Sequence, residues 1–267
     1  MRNLAISNIA WTAEDDADMY SFLLTKGYRG LEIAPTRIFP DNPYEHLSEA
    51  KDWALQMKEQ YGLEVPSMQS IWYGHTEKIF GSKEERKILL DYTKRAIDFA
   101  EVIGCRNLVF GNPKNRDAED IPSVLPIAID FFKEIGDYAL EHNTVVALEP
   151  NPIIYNTHFM NYTEQAVEMA YKANSDGIKV NVDLGTIIYN EEDINYLKQI
   201  PEYINHVHIS EPYLRPINEK HKEMHRYLLE FGKSHPDIYI SIEMGKSDID
   251  VVKNIIDYIS ELRYEEH

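Results

Sequence analysis

The strongest constraint on this chain is a repeat. Short apolar stretches alternate with longer amphipathic ones from one end to the other. Strands are expected at Leu4–Ala10, Gly30–Ala34, Leu63–Gln69, Asn107–Gly111, Thr144–Glu149, Ile178–Asp183, Ile204–Ile209 and Ile238–Glu243. Helices are expected near 14–26, 44–60, 84–103, 122–142, 162–174, 192–200, 217–233 and 247–262. Strands that alternate with helices pair in parallel and bury both sheet faces. Eight such units fill the 267 residues without a polar linker, a length typical of one closed barrel. The expected fold is α/β, a single-domain (β/α)8 TIM barrel spanning residues 1–267. An open doubly wound sheet would need a glycine-rich phosphate turn, and the chain has none.

Side chains alternate across a strand, which sorts the later strands into two faces. Val146 and Leu148 oppose Ala147 and Glu149; Val180 and Val182 oppose Asn181 and Asp183. Val207 and Ile209 oppose His206 and His208; Ile240 and Ile242 oppose Ser241 and Glu243. Branched residues suit the helix-covered face, and the small and polar ones then point to the barrel axis. Glu149, Asp183, His208 and Glu243 end four consecutive strands on the inward face, at the end where barrel enzymes keep their sites. Three carboxylates at one point repel and cannot all ionise unless a cation sits among them. With one imidazole they form an oxygen-rich set suited to a single divalent ion: Mn²⁺ first, with Co²⁺, Mg²⁺ or Zn²⁺ as alternatives. His206 lies one layer deeper, in a supporting or core role.

The formal charge of −18 argues against a nucleic-acid partner, because phosphate binding is driven by lysine and arginine. The lone Cys105 excludes an intramolecular disulfide, and no apolar run approaches the length of a membrane span. A cytoplasmic protein with no membrane partner is expected, and a homo-oligomer is compatible with the 18 tyrosines. His75, His142, His221, His225 and His235 are expected on helix or loop surfaces.

Several segments together resemble a known family. They are Gly30-Leu-Glu-Ile-Ala-Pro35, Leu108-Val-Phe-Gly-Asn-Pro-Lys-Asn-Arg116, Ala147-Leu-Glu-Pro150, Val182-Asp-Leu-Gly185, His206-Val-His-Ile-Ser-Glu211 and Ile242-Glu243. In order and spacing the chain is similar to the xylose-isomerase-like sugar phosphate isomerase/epimerase superfamily, and especially to its ketose 3-epimerase branch. The resemblance implies one divalent ion on Glu149, Asp183, His208 and Glu243, with Glu149 and Glu243 also moving protons. A metal on adjacent carbonyl and hydroxyl oxygens would stabilise an enediolate, while one glutamate removes the carbon-bound proton and the other returns one. The expected function is sugar or sugar phosphate isomerisation or epimerisation. A dehydratase of the inosose or dehydroshikimate type is the alternative. An apurinic-endonuclease-like enzyme and a non-catalytic barrel binding a sugar acid come behind it.

The chain departs from the pattern where the substrate would sit. Thr186 replaces a histidine that follows the Asp183 strand, and Leu214 stands at the position of an arginine, with Arg215 one residue later. A second glutamate after Glu149 is missing from Asn151-Pro-Ile-Ile-Tyr-Asn156. The substrate-binding residues expected are Arg215, Glu32, Gln69, Trp72, Asn112, Lys114 and Glu211. Two places are open to the Trp72 indole, stacked on a sugar ring or simply capping the barrel. Asn112, Lys114 and Arg116, with Arg37 and Lys246 nearby, are candidates to hold an anionic group, set against the usual solvated state of loop cations.

Overall fold

In the computed structural model, which describes residues 3–265, the strands are parallel and pair in the order β2-β1-β7-β6-β5-β4-β3. They are β1 (Leu4–Ser7), β2 (Gly30–Glu32), β3 (Leu108–Phe110), β4 (Val146–Leu148), β5 (Ile178–Asp183), β6 (Ile204–Ile209) and β7 (Tyr239–Ile242). The expected eighth strand at Leu63–Gln69 is not a regular strand. It makes only isolated bridges, Gly30 to Glu64, Ile33 to Met68 and Met68 to Leu108. These still close the ring: Leu31 N donates to Glu64 O (2.8 Å), and Val109 N donates to Met68 O (2.8 Å). Pro66 explains the interruption, since it has no N–H for a ladder. The chain is therefore a curled sheet of seven regular strands joined across β2 and β3 by a bonded segment.

The outer face is as the alternation requires. Val146, Leu148, Val180, Val182, Val207, Ile209, Ile240 and Ile242 are all buried beneath the helices. Those helices are α1 (Asp16–Thr25), α2 (Pro35–Ile38), α3 (Leu47–Tyr61), α4 (Lys83–Ile103), α5 (Ile121–Glu141), α6 (Thr163–Ala173), α7 (Leu184–Asn190), α8 (Lys222–Ser234) and α9 (Ile249–Leu262). Ser82 and Glu85 form a reciprocal cap at the start of α4, and Gly104, at φ 72°, ends it, a position where glycine avoids the left-handed penalty. The helix expected over 192–200 is a 3-10 turn, Ile194–Gln199, and the true crossover helix, α7, begins directly after β5. Asp183 starts it by accepting a hydrogen bond from Thr186 N at 2.7 Å.

One register shift matters to the site. Between β5 and β6 the pairing skips Asn205, so Asn181 lies beside His206 and Asp183 beside His208. On the other side His208 lies beside Ser241. The bulge puts the inward polar residues of three strands into level rows.

His225 is a correction. It lies inside the fold rather than on the surface, on the same face of α8 as Leu228, Leu229 and Gly232, and its Nδ1 is 3.0 Å from Tyr258 Oη. Burial, helped by His221, pulls its pKa from 6.5 down to about 4. In that window the unfolded chain binds a proton that the folded chain refuses, so stability falls as pH drops from about 6.5 towards 4. The contribution is about 3 kcal/mol. Urea unfolding of wild type and His225→Gln at pH 7 and pH 4 should show the variant losing most of that difference.

Candidate metal centre

The inward residues at the C-terminal strand ends converge on one buried point. Glu149 follows β4, Asp183 ends β5, His208 lies in β6 and Glu243 follows β7, with exposures between 0% and 9%. One donor atom from each lies within 4.8 Å of the others, so the four could hold a metal ion. His208 Nδ1 is 3.0 Å from Glu149 Oε1 and 3.3 Å from Glu243 Oε2. Its other nitrogen, Nε2, is 3.0 Å from Glu32 Oε2. In sheet order Glu243 and Glu149 stand on opposite sides of the Asp183–His208 pair.

Each carboxylate is aimed by neighbours. Asn181 Nδ2 donates to Glu149 Oε1 at 2.7 Å, and Asn151 Nδ2 reaches Oε2 at 3.3 Å. Ser210 Oγ donates to Asp183 Oδ1, while Thr186 N donates to Oδ2. Thr186 thus serves the aspartate, through its hydroxyl as well as its N–H. Gly111 allows Glu149 its place, because a Cβ there would stand 2.7 Å from Glu149 Oε2. Gly111→Ala is expected to displace that carboxylate and slow turnover on the order of 100-fold. Steady-state kinetics with a melting curve on the same sample would check it.

The charges do not balance among the protein groups alone. Burial, then repulsion from Glu149, raises the Asp183 pKa. Burial, only partly offset by His208, lifts Glu243 to about 7, and Glu149 and Asp183 add to the rise. Burial opposes a charge on His208 too, yet Glu32 and Glu243 outweigh it and hold the imidazole well above its usual value. For Glu32, burial is outweighed by the two imidazoles, which keep its carboxyl well below the normal range. Three carboxylates around one imidazole are short of positive charge, and a divalent cation supplies it. The donor set, mainly carboxylate oxygens with one imidazole, fits Mn²⁺, Co²⁺, Mg²⁺ or Zn²⁺.

The residues expected to bind substrate divide into groups. Gln69, Trp72, Asn112 and Lys114 line, with Gly111 and Glu149, a cavity of about 490 Å³ beside the centre. Trp72 is only 1% exposed; its indole N–H donates to Thr93 Oγ1 at 2.8 Å, and Phe110 packs edge-on against it. It is a wall of the cavity and offers no open ring face for stacking. Gln69 Nε2 donates to Ser7 Oγ (2.7 Å) and Glu32 Oε1 (2.9 Å). Glu32 is fully buried, engaged with Gln69 and the two histidines. Glu211 Oε1 accepts from Asn218 N (3.1 Å) and faces His221 Nδ1 (2.8 Å), tying its own loop together. Arg215 is exposed over the Tyr213 ring at 5.2 Å.

Arg116 is a plain correction to the anion-holding expectation. It is fully buried, donating to Gly111 O at 2.5 Å, Glu149 O at 2.9 Å, Asn151 Oδ1 at 2.7 Å and Phe159 O. Arg37 pairs with Asp16 at 2.7 Å.

Sequence reasoning missed Ser210 and Tyr155 as parts of the site, and it named Asn181 as inward without giving it a task. Tyr155 Oη accepts a hydrogen bond from Tyr213 N at 3.0 Å. Burial first, and then the charges of Asp183, Glu243 and Glu149, push its phenol up to about 12, so it stays a donor beside them. For Ser210 the signal was present, since it continues the inward row of His206 and His208. For Tyr155 none was, because a 3-10 turn, Ile153–Tyr155, places it.

The same architecture occurs in solved structures. A 3-keto-D-glucoside 4-epimerase from E. coli superposes with a TM-score of 0.75 at 17% identity, covering 98% of this chain and 99% of that one. A D-psicose 3-epimerase from Clostridium cellulolyticum H10, solved with D-tagatose, gives 0.76 at 12% identity, covering 98% of each chain. A probable 3-DHS dehydratase from Bacillus anthracis gives 0.70 at 14% identity over 100% of both. At these identities the likeness is one of fold. No curated protein shows a significant sequence match. The family model described as xylose isomerase-like TIM barrel matches residues 22–257, and the chain belongs to that family.

Proposed function

We propose that this protein is a divalent-metal-dependent isomerase or epimerase of an uncharged sugar, working by proton transfer at a carbon next to a carbonyl. The observation that carries the proposal is the placement of Glu149 and Glu243 on either side of the same ligand set, 3.0 and 3.3 Å from His208 Nδ1. Glu149, Asp183, His208 and Glu243 would hold a divalent ion, which when bound would supply Lewis acidity against the negative charge left by the departing carbon-bound proton. The protein's own groups do the rest. One glutamate takes the proton and the other returns one. Asn181 and Asn151 orient Glu149.

The choice of an uncharged sugar over a sugar phosphate rests on the cations. Arg116 is occupied inside the protein and Arg37 is paired with Asp16, and among the described residues Lys114 is the only lysine or arginine lining the adjacent cavity. A phosphate site normally has bidentate arginine or several donors. The relatives in fold that act on D-psicose, L-ribulose and a 3-keto-glucoside support this reading, and the dehydratase among them keeps the second reaction open.

A panel of ketoses, keto-glycosides, sugar phosphates and inososes, incubated with the Mn²⁺-loaded protein in deuterated water, tests the proposal. Deuterium at carbon in a product of otherwise unchanged mass, with an uncharged sugar, is expected. A product that has lost water establishes the dehydratase instead, and no exchange with any member overturns the reaction class.

A further inference from the structure

Glu32 is a buried carboxylate that the proton-transfer scheme leaves without a task. It ends β2 with no exposed surface, so no substrate can reach it, and among the described residues its only charged partners are the imidazoles of His206 and His208. Oε2 lies 3.0 Å from His208 Nε2. His206 Nε2 is 2.9 Å from the same oxygen but off the direction that a hydrogen bond needs. Oε1 accepts from Gln69 Nε2 at 2.9 Å, and Gln69 is itself fixed on Ser7 Oγ. A neutral imidazole has one N–H and one lone pair. On the metal side of His208, Nδ1 faces the amide of Asn181 at 3.2 Å as well as the two glutamates, and a nitrogen that faces a donor and a cation has to present its lone pair.

We propose that Glu32 is the positioning residue that fixes His208 in its Nε2–H tautomer and so keeps Nδ1 free for the metal, with Gln69 and Ser7 holding Glu32 in turn. The inference rests on the metal-centre reading above. Its chemical logic is that of a carboxylate–histidine–metal triad, in which the outer carboxylate sets ring orientation and basicity. Substitution by glutamine is informative because the amide has one acceptor and one donor end. If its oxygen faces His208, its NH₂ meets the NH₂ of Gln69, which has to turn over and take a new bond from Ser7, and the ring is left with a neutral amide in place of a carboxylate. If it turns, its NH₂ meets His208 Nε2 and forces the proton onto Nδ1, where the metal should bind. Exchanging the two residues, Glu32→Gln with Gln69→Glu, removes the conflict, because the NH₂ at 32 then meets a carboxylate at 69.

The test is calorimetric titration of Mn²⁺ into the metal-free full chain for wild type, Glu32→Gln and the exchanged pair, with melting curves as controls. Glu32→Gln should bind about 10- to 100-fold more weakly, and the exchanged pair should recover most of the loss, which a simple packing role would not restore. Equal Mn²⁺ affinity in wild type and Glu32→Gln overturns the positioning role and leaves the metal centre standing. No binding by wild type overturns the metal reading itself. Glu32, His206 and His208 also bring donors within 4.8 Å of one another, so two ions per chain would assign Glu32 as a ligand and overturn the proposal. Should Glu32→Gln fail to fold, ¹⁵N spectra of the histidines in the Zn²⁺-loaded wild type decide: His208 protonated on Nε2 supports the proposal, and on Nδ1 contradicts it.

Discussion

Glutamine at position 149 or 243 should leave a folded barrel that no longer exchanges substrate protons. The amide keeps the size of the side chain and one oxygen for a metal, but it cannot take or return a proton. General acid–base catalysis by one positioned group accounts for about 10²- to 10⁴-fold, and each variant should lose at least the upper part of that range. Stability should move the other way or not at all. Glu243 is lifted to about 7 by burial, which His208 only partly offsets and Glu149 and Asp183 reinforce, so in the metal-free chain its charge is a cost. A group raised above its unfolded value favours folding at low pH, and that advantage fades as pH climbs from about 4.5 through 7. At pH 8 the metal-free Glu243→Gln chain should melt no lower than wild type. Deuterium exchange rates with differential scanning fluorimetry of the metal-free proteins check both halves. A variant with near-normal exchange removes that glutamate from the mechanism.

Arg116→Met is expected to cost about 3–5 kcal/mol of stability, because removing one partner from a buried charged network leaves the others unsatisfied. Methionine fills much of the space but makes none of the bonds to Gly111 O, Glu149 O, Phe159 O and Asn151 Oδ1. Those acceptors lie in the loops after β3 and β4, so one guanidinium pins the two loops that carry Gly111 and Glu149. For a chain of this length the loss lowers the melting temperature on the order of 10 °C. Arg116→Lys should recover only part of it, since an ammonium cannot reproduce a planar fork of donors. Urea unfolding of the three proteins measures the cost, and a loss below about 1 kcal/mol would mean that water or the loops replace these bonds.

How much was legible follows from how each residue is placed. Period-two alternation needs only neighbours in sequence, so the inward rows of Glu149, Asp183, His208 and Glu243 are legible in the amino-acid order alone. Strand positions fail where a local feature interferes. Pro66 breaks the closing segment, and Asp183, which caps α7, starts a helix where a loop was expected. Loop residues were the hardest, because long-range contacts decide their surroundings. Arg116 sits in a polar loop sequence that suggests solvent, yet its partners are up to 43 residues away and enclose it. Glu32 and His208 are 176 residues apart, a contact that no local pattern contains. His225 was different: its place beside Leu228, Leu229 and Gly232 on one face of α8 already implied burial, and residue type alone gave the wrong answer.

The central claim is one divalent ion held by four strand-end side chains. Its most direct test is metal stoichiometry after stripping with a chelator, reloading with Mn²⁺ and removing the excess, compared between wild type and Asp183→Asn/His208→Ala. Elemental analysis should find one Mn²⁺ per chain in wild type and a small fraction of that in the variant, with both proteins folded. Equal manganese in the two, or none in a folded wild type, would contradict the account.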